Sequence, residues 1–153
     1  MVVTKKQKTF VRNVITVAFI LYLAGMIYFL FFSERYGRLN LEEEYRYNLH
    51  LFNEIKRYIQ YKELLGPEYF IINIFGNILA FAPFGFMVPV INARYGKFID
   101  VFVLSFLLTL TIETMQLLLK VGVFDVDDLF MNTLGGLLGY GVYRFCKWMM
   151  RKK

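Results

Sequence analysis

Asn73 to Pro89 reads NIFGNILAFAPFGFMVP, and this stretch decides the class of the chain. It carries no charge, and with its apolar neighbours from about residue 69 to 91 it is long enough to cross a bilayer as a helix. Yet Asn73 and Asn77 stand one turn apart on one helical face. Pro83 removes a backbone donor in mid-span, which is tolerated where neighbouring helices or water satisfy the freed carbonyl. A segment needed only for anchorage would avoid these residues, so something polar is expected to face them.

Working outward, the same character recurs. Hydrophobic residues make up 58% of the 153 and come in long blocks, which indicates a membrane protein forming one unit over residues 1–153. The net charge of +6 does not imply nucleic-acid binding, because the basic residues flank apolar blocks, where orientation signals sit. With a single cysteine, Cys146, and a single histidine, His50, neither an internal disulfide nor a multi-thiolate or histidine-rich metal site is expected.

Four spans are predicted, at about 13–33, 69–91, 98–121 and 129–148. Lys5, Lys6, Lys8 and Arg12 precede the first. Its apolar core is longer than that of a signal peptide and no small-residue cleavage site follows it, so it reads as an uncleaved span. With both termini cytoplasmic, the inner segments hold eleven Lys/Arg and one acid, Asp100, whereas the outer ones hold seven Lys/Arg and ten acids. That is the positive-inside pattern of a multi-pass membrane protein. The connector at 34–68 would lie outside. Leu41, Tyr45, Leu49, Phe52, Ile55 and Ile59 recur in it at three- and four-residue steps, which predicts an amphipathic helix ending before Gly66-Pro67. It would lie on the membrane surface or pack over the ends of the spans. The expected class is therefore all-α: four transmembrane helices and an extracytoplasmic connector helix.

Polar residues within the spans are the candidate site. Thr109, Glu113, Gln116 and Lys120 follow one side of the third helix. A carboxylate at such depth costs about 2.5–3.5 kcal/mol on insertion scales, so Glu113 should face protein, water or a partner. Lys120 and the amides of Asn73 and Asn77 are candidate partners for it. Asp125, Asp128, Asn132, Gly135 and Gly139 share one face of the fourth helix, and the acids at its start can cap free N–H groups. Asn73, Asn77, Glu113, Gln116, Asp125, Asp128 and Asn132 all fall in the outer half of this topology, so they are expected to converge on a polar pocket opening outward. Pro83, Gly85, Gly135, Gly136 and Gly139 are read as structural, and the small-xxx-small spacing of Gly135 and Gly139 admits a second copy packing through the fourth span.

These residues also carry a resemblance. NxxGNxxxFxPxG from Asn73, ExxQ at Glu113 and Gln116, and GVFDVDDLFMNTLGG from Gly122 to Gly136 together resemble the VanZ-like family of small bacterial membrane proteins, over about residues 46–140. Asn48, Leu49 and Phe52 match a further family motif, with Leu51 where proline is usual. The resemblance implies a multi-span protein of the bacterial cytoplasmic membrane. The family's named member is associated with resistance to teicoplanin, a lipoglycopeptide acting outside the cell on cell-wall precursors.

Three functions fit. The first is binding of an envelope amphiphile, such as a lipid-linked cell-wall precursor or a lipoglycopeptide, in the outward pocket. A second is a membrane enzyme acting on a lipid- or phosphate-linked substrate; no catalytic residue can be assigned, and the one cofactor candidate is a divalent cation at Glu113, Asp125, Asp127 and Asp128. A third is a small transporter or its partner subunit. Binding is the favoured reading.

Overall fold

The computed structural model describes residues 5–32, 44–61 and 67–152. Four long helices dominate: α1 (Lys5–Phe32), α3 (Pro67–Ile91), α4 (Phe98–Leu118) and α5 (Val126–Arg151). Between α1 and α3 come strand β1 (Arg46–Asn48) and the two-turn helix α2 (Asn53–Gln60); strand β2 (Val123–Asp125) precedes α5. The long helices alternate in direction. One end of the bundle carries the two strands, and the other gathers Lys6, Arg12, Arg94, Lys97, Lys147 and Arg151 among the described residues.

Among the described residues α1, α3 and α4 are long and apolar enough to cross a membrane. Helix α5 is not apolar enough by that measure, because glycines and a polar face replace bulky apolar side chains along it. Those residues are turned inward: Asn132, Gly135, Gly136 and Gly139 are buried, and α5 is the helix on which α3 and α4 both pack. The segment expected as the fourth span forms the helix on which α3 and α4 pack. Its outer surface, with Leu138, Val142 and Phe145 exposed, is apolar.

Backbone proximity sets the α3–α5 contact. A Cβ added to Gly85 would collide with the carbonyl of Gly136, one on Gly135 with that of Ile78, and one on Gly139 with that of Ala82. The seam that could have served a second copy is filled by the chain's own α3. Pro83 and Pro89 both lie inside α3, which runs unbroken from 67 to 91. On the other side of α5, the buried stripe Val101, Ser105, Thr109, Ile112, Glu113 and Gln116 of α4 faces inward, and a Cβ on Gly136 would strike the Ser105 hydroxyl. Near the basic end, Val101 packs with Tyr140 and Tyr143, and the Tyr140 hydroxyl donates to the carbonyl of Gly96 at 3.0 Å, fastening the α3–α4 turn.

The connector departs from expectation. Instead of one amphipathic helix it forms β1, a turn and then α2; Leu41 of the expected helix, and Gly66 expected just past its end, lie outside the described residues. The helical stripe loses because β1 gains a partner from elsewhere in the chain: it pairs in parallel with β2, Asn48 opposite Asp125. Phe52 then adopts a left-handed conformation (φ 64°) at the start of α2, and its N–H donates to the Asp127 carboxylate. A helix through 46–52 would forfeit both. Helix α4 ends short of the expected 121, at Leu118. Lys120, left-handed at φ 55°, closes it as a Schellman turn: Lys120 N–H reaches the Leu117 carbonyl at 3.1 Å and Val121 N–H that of Gln116 at 3.0 Å.

Because the atoms opposing Gly85 and Gly139 are main-chain carbonyls, they cannot rotate away. Gly85→Ala and Gly139→Ala should each destabilise the detergent-solubilised protein by about 1–3 kcal/mol, the usual cost of overpacking. Gly141→Ala, where an added Cβ meets nothing within 4 Å, should leave the thermal midpoint unchanged or slightly raised. Equal midpoints for all three variants would show that the α3–α5 contact is looser than described.

Candidate functional site

Helices α3 and α4 each pack along α5, but α1 does not. Near its middle it is tied to α3: Phe19 packs on Phe84, with ring centroids 5.8 Å apart, and the Tyr22 hydroxyl donates to the carbonyl of Ala80. Towards the strand end it is tied to α4 instead, where Gln116 Nε2 donates to the Leu30 carbonyl at 3.0 Å. The space left behind is a cavity of about 530 Å³, a size suited to a small-molecule ligand.

Its walls differ in chemistry. Helix α1 contributes Tyr22, Gly25, Met26, Phe29 and Leu30, so that side is largely apolar. Opposite stand Asn77 of α3, Glu113 and Gln116 of α4, and Asp128 and Asn132 of α5. The cluster of Met26, Phe81 and Ile112 forms the floor. Pro83, which the sequence places at the right depth for that role, does not line the cavity.

Each polar residue is fixed by a partner on another element. Asn77 Nδ2 donates to Asp128 Oδ1 at 2.6 Å, joining α3 to the first turn of α5. Asn132 Nδ2 donates to the Thr109 hydroxyl at 2.8 Å, joining α5 to α4. Glu113 accepts the backbone N–H of Asp125 at 3.1 Å, joining α4 to β2. The carbonyl oxygen of Asn132 is buried and has no hydrogen-bond partner among the described residues, and neither has the Ser105 hydroxyl. An unmet buried acceptor costs about 1–3 kcal/mol.

Asp125 and Asp127 lie behind this wall and do not line it. Asp125 caps α5, its Oδ1 accepting the N–H of Asp127 at 2.7 Å. Asn48 donates to both Asp125 carboxylate oxygens at 3.2 Å. Glu113 with Asp125, Asp127 and Asp128 suggested a divalent cation, but they are held by different donors and do not gather: among the described residues no group of three or more His, Cys, Asp or Glu could hold a metal ion. Lys120, a candidate partner for Glu113, has its ammonium over the Tyr45 ring, 4.9 Å from the centroid. Asn73 lies in α3, one turn nearer the strand end than Asn77, and its side chain is outside the described residues.

Thus Asn77, Glu113, Gln116, Asp128 and Asn132, chosen from spacing, surround one cavity, whereas Asp125 supports it from behind. The contribution of α1 was not foreseen. Its sole hint is Gly25 among bulky side chains. Asn48 was named as a motif residue, but its bond to Asp125 joins residues 77 positions apart and no local pattern reveals it.

A sequence model of the VanZ/LLP1 family matches residues 19–147, a range holding every one of these groups. The chain belongs to this family. Protein VanZ of Enterococcus faecium is 27% identical over 133 residues, covering 87% of this chain and 75% of that protein. No solved structure matches the chain. Family membership and the three apolar helices together make this a VanZ-like membrane protein.

Asp125 gives the site a pH signature. Burial raises its carboxyl above the ordinary 3.8, and the negative charge of Asp127 adds to the rise; hydrogen bonds from Asp127 N–H and Asn48, and the charge of Arg57, pull it back. The folded state therefore binds this proton more tightly than the unfolded chain. Stability from this group is gained as pH falls from the raised value towards 3.8 and is lost above it. Asp125→Asn, which keeps a capping oxygen, should flatten the rise of the thermal midpoint on acidification through that window. Parallel midpoint–pH curves for the two proteins would contradict this.

Proposed function

We propose that this protein binds a cell-envelope amphiphile in its two-sided cavity. One observation carries the reading: polar groups from α3, α4 and α5 and apolar groups from α1 share one space of about 530 Å³. A molecule with a hydrogen-bonding head and a hydrocarbon part matches both walls, and neither part alone does.

In this reading α5 is the fourth span, both termini are cytoplasmic, and the strand end with the cavity above its floor lies outside. The collection of basic residues at the opposite end supports that orientation. The ligand is then a lipid-linked wall precursor or a lipoglycopeptide, and its capture contributes to resistance of the teicoplanin type. An enzyme dependent on a divalent cation is disfavoured by the dispersal of the four carboxylates.

Two experiments follow. In a lipoglycopeptide-susceptible host, Asn77→Ala and Glu113→Gln should abolish the protection conferred by the wild-type protein at equal membrane levels. Unchanged protection would remove the binding site from this cavity. For orientation, green fluorescent protein fused at either terminus should fluoresce in cells, and a cysteine placed at exposed Tyr47 should react with a membrane-impermeant maleimide in a background lacking Cys146. A dark C-terminal fusion would overturn the four-span topology.

A further inference from the structure

We propose that the cavity has a lateral gate between α1 and α3, at Gly25 and Gly76, through which the hydrocarbon chain of a lipid enters from the bilayer. This rests on the reading of the cavity as an amphiphile site and specifies the source and path of its apolar part. Gly25 and Gly76 both line the cavity, both are exposed, and a Cβ added to either would meet nothing within 4 Å. They follow directly on the Tyr22–Ala80 contact, the last point at which the described residues tie α1 to α3 by a hydrogen bond before Gln116 draws α1 towards α4.

Three of the four glycines of α5 differ, and the fourth, Gly141, is open but does not line the cavity. At Gly135, Gly136 and Gly139 neighbouring atoms fill the space a side chain would need, and the glycine exists for close packing. At Gly25 and Gly76 nothing takes up the room, so packing does not account for them. What they leave is a slot in a helix pair whose outer surfaces face hydrocarbon: α1 buries only Met26 among its described residues, and Phe75 and Leu79 of α3 are exposed. A water-borne molecule would meet an apolar obstacle there, whereas an acyl chain already in the leaflet would meet none. Inside, the chain would lie along Met26, Phe29 and Phe81, with its headgroup towards Asn77, Asp128 and Asn132.

The open space also makes the gate testable, since larger residues fit there without disturbing the fold. Trp148→Phe with Phe81→Trp leaves one tryptophan, on the cavity floor. Reconstituted in phosphatidylcholine brominated along its chains, with no drug present, this protein should show quenched fluorescence. Adding Gly25→Leu and Gly76→Leu should remove the quenching, and adding Gly141→Leu, which faces open space away from the cavity, should not. Should the tryptophan variant fail to fold, native mass spectrometry of the otherwise wild-type protein decides the matter: bound phospholipid should be present and should disappear with Gly25→Leu and Gly76→Leu. Quenching or lipid retention unaffected by the two leucines, or absent from the start, overturns the gate. In that event, loss of lipoglycopeptide protection on Asn77→Ala would leave the amphiphile site standing, and retained protection would remove both.

Discussion

The contact on which the rest of this molecule depends is backbone against backbone, where α3 crosses α5 at Gly85, Gly135, Gly136 and Gly139. In hydrocarbon there is no hydrophobic drive to bring two apolar helices together; dispersion at close range and interhelical hydrogen bonds must do it. Removing Cβ atoms along the seam lets the main chains approach until carbonyls oppose glycine Cα atoms. That approach also brings Asn77 within 2.6 Å of Asp128. Were the helices a side chain further apart, both polar groups would be stranded in an apolar medium, where each would be costly. The glycines and the polar wall are therefore one arrangement. The first sets the distance at which the second can be satisfied.

The same reasoning explains why α1 stands apart. It has no such seam: it meets the bundle through side chains, with Phe19 on Phe84, the Tyr22 hydroxyl on the Ala80 carbonyl, and Met26 packed with Phe81 and Ile112, and through its Leu30 carbonyl, which accepts from Gln116. A helix held off by side chains does not approach its neighbours as α3 approaches α5. The cavity is the volume left by that difference in packing. Its two-sided chemistry follows directly, with α1 offering a surface made for lipid and the glycine-packed trio offering the polar faces that its own assembly requires.

Much of this was legible in the sequence, for identifiable reasons. The apolar runs marked four helices, because bilayer thickness and helix rise leave little freedom in length. Asn77, Glu113, Gln116, Asp128 and Asn132 were found because helical periodicity converts spacing into a shared face, and antiparallel neighbours then place faces at matching depths. What local pattern could not disclose is long-range pairing. The spacing of Tyr45, Leu49 and Phe52 fits a helix, but Arg46–Asn48 is a strand because Val123–Asp125 supplies its hydrogen bonds. Likewise α1 shows no polar periodicity, and its place in the site comes from where it fails to pack. The dispersal of the acids has the same origin. Adjacent in sequence, Asp125, Asp127 and Asp128 are drawn to Asn48, Phe52 and Asn77, which arrive from three other elements.

The parallel pair of strands has a consequence for the site itself. The Glu113 carboxylate accepts the N–H of Asp125, the last residue of β2, while the Asp125 side chain is held from β1 through Asn48. The connector thus reaches the cavity wall through two hydrogen bonds in series, without lining the cavity. If the pairing of Asn48 with Asp125 loosens, the start of α5 loses its cap support, and Asp128 and Glu113 lose the backbone that positions them. A small sheet of three residues per strand is too short to be stable alone. Its parallel register is held by the side chains it carries towards α4 and α5, so strand pairing and cavity geometry each require the other.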